Sequence, residues 1–134
     1  MSELPFVDAH CTSVAAAPGV VFDALERIGP RLGTDAVSRM YARLVGTEDR
    51  GPFHVTRSER PTLVVLSGSH RFSRYELVCR VEPQNGGSVV RFETWAEFPG
   101  LGGWVYRAAV IGTGGHRVAM RLLLAGLKRR IEAG

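Results

Sequence analysis

A chain of 134 residues, 45% hydrophobic and 22% charged, with a net charge of +4 and an isoelectric point near 9.7, is expected to fold as one domain spanning 1–134 that needs no disulfide or metal to hold its core. No apolar run reaches the roughly 18 residues of a membrane span, and the opening MSELPFVDAHC lacks the charged and then apolar segments of a secretory signal, so a cytoplasmic protein without membrane insertion is expected. The basic balance raises the question of an anionic partner, but the one basic cluster, Arg117, Arg121, Lys128, Arg129 and Arg130, has no aromatic side chains alternating with it, so it reads as a solvated helix face and no nucleic acid is expected.

Residues Phe6 to Ala15 form a first predicted strand. Pro18 then opens a helix with an apolar stripe of Val21, Phe22, Leu25 and Ile28, closed by Gly29 and Pro30. A second short helix follows, capped by Thr34 or Asp35, with Val37, Met40, Tyr41 and Leu44 inward and Gly46 at its end, before a polar loop over 47–52. From Phe53 the period changes to two, with strands at 53–59, 62–68, 72–83 and 88–98. Cys11 and Cys79 lie in apolar strand-like segments without CxxC spacing and are expected as buried free thiols.

The last strand pair admits a detailed register. A two-residue turn at Gly86-Gly87 would set Glu82 against Arg91, Arg80 against Glu93 and Val78 against Trp95, and on the other face Val81 against Phe92, Cys79 against Thr94 and Leu77 against Ala96. A turn at Asn85-Gly86 would instead oppose Arg80 to Arg91, so the first register is preferred. The inward face is then Tyr75, Leu77, Cys79, Val81, Val90, Phe92, Thr94, Ala96 and Phe98, and the outward face is a solvated ladder of Glu76, Arg80, Glu82, Arg91, Glu93 and Glu97, with Trp95 among it. Extending the parity backward puts Ser73 and Arg71 on the inward face, unless a β-bulge near Gly68 turns both outward.

Pro99-Gly100 breaks the last strand and leads into a final helix within Leu101 to Ala133, strongest from Val110 to Ile131. His116, Met120, Leu123, Leu127 and Ile131 fall on one side, and Arg117, Arg121 and Lys128 on another. Gly112, Gly114 and Gly115 are costly inside a helix and must mark a break, a close contact or a gap.

Strand, two short helices, antiparallel strands and a long C-terminal helix is an order that resembles the helix-grip fold of the START/Bet v1-like (SRPBCC, polyketide cyclase-like) superfamily. Two passages carry the resemblance: VAAAPGVVFDAL, similar to the family's entry into its first helix, and FETWAEFPGLGGWVYRAAV, similar to its last strand, turn and helix entry. The resemblance implies an α+β fold, a curved antiparallel sheet wrapped around the C-terminal helix, with an apolar cavity between them for lipids, polyketides or similar hydrophobic molecules. The chain departs from the pattern in showing four clear strands after the helices where the family usually shows six, and in its glycine cluster.

His10, His54, His70 and His116 show no HxxxH or HExxH pairing, and no GxSxG, Walker or GxGxxG loop occurs, so neither metal nor cofactor is expected. GTGGH lacks the preceding strand and following lysine of a phosphate loop. His10 lies two residues from Asp8 on one strand face, where a carboxylate could orient an imidazole, although an N-terminal strand favours a surface position. The resemblance makes the inner surface the candidate site: Arg71, Ser73, Tyr75 and Thr94 on the sheet, His116 and Tyr106 on the helix, with Leu77, Phe92, Ala96, Gly112, Met120 and Leu123 lining it. In a cyclase-type enzyme of that kind Arg71 would hold a carboxylate or enolate and Tyr75 or His116 would donate a proton. The expected function is binding of a small hydrophobic ligand by a monomer or homodimer. A cofactor-independent cyclase, aromatase or dehydratase and a closed-cavity interaction domain are the alternatives.

Overall fold

The computed structural model describes residues 4–31, 54–70, 73–111 and 114–133. The second short helix and the 47–52 loop lie outside these residues, as do Arg71 and Gly112. Strand β1 (Phe6–Val14) leads into helix α1 (Pro18–Ile28), where Pro18 occupies the first turn and Val21, Phe22, Ala24, Leu25 and Ile28 are buried. A short 3-10 turn, Gly29–Arg31, ends it. Strands β2 (His54–Glu59), β3 (Leu63–His70), β4 (Ser73–Gln84) and β5 (Gly87–Glu97) follow, and then helices α2 (Gly100–Val110) and α3 (Gly115–Ala133). The five strands form one antiparallel sheet in the order β1-β5-β4-β3-β2.

One face of the sheet carries the main core. Val64, Leu66, Leu77, Cys79, Val81, Val90 and Phe92 meet α1 and the stripe Met120, Leu124, Leu127 and Ile131 of α3. Leu124 is the buried residue where Leu123 was expected; Leu123 is half-buried at the margin of the same cluster. Helix α3 runs along β1 in the same direction: His116 meets Asp8 at one end, and Glu132 accepts the Ala15 backbone N–H at the other. Seven strand steps and sixteen helical steps both span roughly 23 to 24 Å, so the two elements match in length. Lys128 anchors the same end, donating to the Ser13 carbonyl and pairing with Glu132 one turn on. These contacts hold the Glu132 carboxyl below its usual range, the Ala15 N–H first and Lys128 second.

Three expectations are corrected. The β4–β5 turn falls at Asn85-Gly86, so Arg80 faces Arg91 and Cys79 faces Phe92. Asn85 at φ 43° and Gly86 at φ 84° supply the two left-handed residues that a tight hairpin needs. The like charges are tolerated because Glu93 accepts from Arg80 Nε at 2.9 Å and from Arg91 Nε at 2.8 Å. Because the register differs by two residues, each side chain keeps its face. The outer face is also less solvated than expected: Leu63, Val65 and Val78 form a second apolar cluster with Trp95 beside it. Lastly, Cys11 is exposed, while Cys79 is buried and burial pushes its thiol far up. The β3–β4 ladder is unbroken from Leu63↔Arg80 to His70↔Ser73, so no bulge interrupts it at Gly68.

The final helix is two helices. Gly114 sits between them at φ 81°, its N–H bonded to the Ile111 carbonyl and its carbonyl accepting the Val118 N–H. The glycine cluster therefore marks a break, and α3 begins just before His116.

Candidate functional site

Strand β1 places Asp8 opposite Thr94 and His10 opposite Phe92, so both polar residues lie on the inner face of the sheet. A register shift between Phe6 and Asp8 returns Phe6 to the outer face, where its ring packs edge-on against Trp95 at 5.0 Å. His116, in the first turn of α3, closes over this end of the sheet. Its Nε2 lies 3.2 Å from Asp8 Oδ1 and 3.2 Å from Thr94 Oγ1. The second carboxylate oxygen of Asp8 lies 3.2 Å from His10 Nε2. One carboxylate thus joins two imidazoles, with Thr94 completing the group.

The arrangement can move a proton. When His116 Nε2 carries hydrogen it donates to Asp8; when it does not, it accepts from the Thr94 hydroxyl. Thr94 is almost fully buried, whereas the side chains of Asp8, His10 and His116 keep 25%, 14% and 16% of their exposure, enough to leave the group reachable. Among the described residues no group of three or more such side chains is arranged to hold a metal ion.

The expected site residues separate into three sets. Thr94 and His116 come together, with Leu77 beside Thr94 in the ladder and Phe92, Ala96 and Met120 buried on the inner side. Tyr75 is half-buried against the main core and pairs with Ala96 in the ladder, while Tyr106 on α2 lies 6.2 Å from the Phe98 ring. Arg71, Gly112 and the side chain of Ser73 fall outside the described residues. Asp8 and His10 were not expected in the site. Their only sequence signal was the alternation D-x-H on one strand face; what places them beside His116 is a contact across 108 positions of chain.

No family model matches the chain, and no curated protein matches it in sequence. Solved structures do match its shape. The Aha1 dimer from Colwellia psychrerythraea superposes with a TM-score of 0.54 at 14% identity, covering 92% of this chain and 94% of that one. Ara h 8.0201 matches with a TM-score of 0.54 at 11% identity over 95% and 97%. A protein from Rhizobium leguminosarum reaches 0.55 at 14% identity over 91% and 93%. At these identities the likeness concerns the fold, and with the five-stranded antiparallel sheet and C-terminal helix it establishes that this chain has the Bet v1-like, helix-grip α+β fold.

Proposed function

We propose that this protein binds a small hydrophobic molecule between the inner face of the sheet and α3, with Asp8, His116 and Thr94 as the polar end of the site. The observation that carries the reading is the placement of this polar group at an otherwise apolar surface of Leu77, Phe92, Ala96 and Met120. Binding sites for small molecules combine apolar walls with a few converging polar groups. The half-buried Tyr75 and Leu123 flank the same interior. Native mass spectrometry of the protein purified from its own host tests this: a retained small molecule that is released on denaturation is expected, and a protein that carries none and retains none of an offered series of polyketide-like and lipid-like compounds overturns it.

A second reading is favoured by the shared carboxylate. In a cyclase- or dehydratase-type reaction His116 takes a proton from carbon next to a carbonyl, Asp8 steadies the imidazolium, and the Thr94 hydroxyl donates to the developing enolate. His116→Gln would then abolish turnover while leaving ligand retention measurable; equal turnover by the variant overturns the enzymatic reading alone.

A further inference from the structure

Between Phe98 and Ile131 lie six of the 17 basic residues and none of the 13 acidic ones, so the rest of the chain holds 11 basic against 13 acidic residues, a net charge of −2. The positive charge of the protein lies in α2 and α3, whose six basic residues stand against one acidic residue, Glu132 near the end of α3. The same two helices expose large apolar side chains: Leu101, Trp104 and Val105 on α2 and Val118 and Leu122 on α3 are each more than half exposed. Their spacing puts the α2 trio on one stripe, and it puts Val118 and Leu122 on the side of α3 opposite Met120, Leu124, Leu127 and Ile131. On α3 Arg129 shares that outward side, Arg121 lies on its flank and Arg117 lies nearer the buried stripe; all three are exposed, as is Arg107 on α2.

We propose that α2 and the outward side of α3 dock on a lipid bilayer surface that carries anionic headgroups. Leu101, Trp104 and Val105 enter the boundary between headgroups and acyl chains, and the arginines engage the headgroup charge. The chemistry disfavours the other occupants. Four of the five exposed apolar residues are aliphatic and offer no ring on which a base could stack. A second copy placed face to face would oppose two surfaces of the same strong positive charge. The inference stands apart from any ligand of the inner face.

Co-sedimentation with vesicles tests it, comparing phosphatidylcholine alone with equal parts phosphatidylcholine and phosphatidylglycerol. The full chain should bind the mixed vesicles at least tenfold more tightly, and added salt should weaken that binding. Leu101→Asn with Trp104→Asn should lose about tenfold. Arg117→Gln, Arg121→Gln and Arg129→Gln together should lose up to about a hundredfold and most of the salt dependence. All five positions are exposed, so thermal melts of the variants should match the parent. Equal affinity for both vesicles, no binding to either, displacement from the mixed vesicles by a single-stranded oligonucleotide, or a stable dimer that the Leu101/Trp104 variant dissolves would each overturn the proposal.

Discussion

The two faces of the sheet each carry a strand carboxylate shared by two basic side chains, and the difference between them separates structure from chemistry. On the outer face Glu93 accepts from Arg80, Arg91 and the Trp95 indole, 3.3 Å away, with only 10% of its side chain exposed. Burial alone would raise its carboxyl, but the two guanidiniums and the indole outweigh that and hold it below the usual range. On the inner face Asp8 is shared by His10 and His116 and is more open. Guanidinium keeps its proton at every physiological pH, so the Glu93 group is a fixed clamp. A ring nitrogen of imidazole can act as donor or acceptor according to its tautomer, so the Asp8 group is one whose hydrogen bonds can be exchanged.

The largest expected effect tests the face assignment on which this contrast rests. Thr94→Arg would drive a charge into the inner face and should cost on the order of 4 to 5 kcal/mol, enough to prevent cooperative folding. Thr94→Val should fold and lose only the hydroxyl that faces His116. If urea denaturation showed both variants to be neutral, Thr94 would not lie where the two faces are distinguished.

Next in size is the clamp itself. Glu93→Gln should cost about 2 kcal/mol at neutral pH, since it removes the charge that both arginines share. The folded carboxyl is depressed relative to its ordinary value of 4.5. Its contribution is therefore fully present above about pH 5.5 and is lost as pH falls through the lower folded value. The stability gap between parent and variant should close in acid. A gap that stays constant with pH would mean that Glu93 acts through packing.

Asp8→Asn should cost less, about 1 kcal/mol, because the group is more exposed and its imidazole bonds are longer than the Glu93 contacts to arginine. Its larger consequence should appear in ligand retention, followed by native mass spectrometry. A stability loss equal to that of Glu93→Gln with retention unchanged would make both carboxylates structural and erase the contrast.

Much of the fold was legible because the hydrophobic period changes from 3.6 to 2 and back, and the inner set from Leu77 to Phe92 follows from alternation alone. The register was not. Matching charges in pairs makes Arg80 opposite Arg91 look repulsive, but a third group, Glu93, lies on the same face and neutralises both. The turn chemistry of Asn85-Gly86 was the stronger signal. Within the candidate site, Thr94 and His116 could be read from parity and helical spacing. Asp8 could not, because nothing local says that β1 is the strand along which α3 lies. The break before α3 was visible as a glycine cluster, but not which glycine carries the left-handed turn.

That glycine gives the smallest effect and the finest test. Gly86 fixes the turn that brings Arg80 and Arg91 to Glu93, and Gly114 fixes the turn that brings His116 to Asp8. A methyl group would meet nothing within 4 Å at either position, so alanine costs only the strain of a left-handed residue, about 1 kcal/mol. The two substitutions should therefore match in stability and differ in what else they change. Gly86→Ala should leave ligand retention as it is, since the hairpin is held by its full ladder. Gly114→Ala should weaken retention beyond its small stability cost, because a change in the entry to α3 moves His116 relative to a carboxylate on another element. If Gly114→Ala lowers stability but leaves retention equal to that of Gly86→Ala, His116 does not act through its placement, and the inner carboxylate has no role that the outer one lacks.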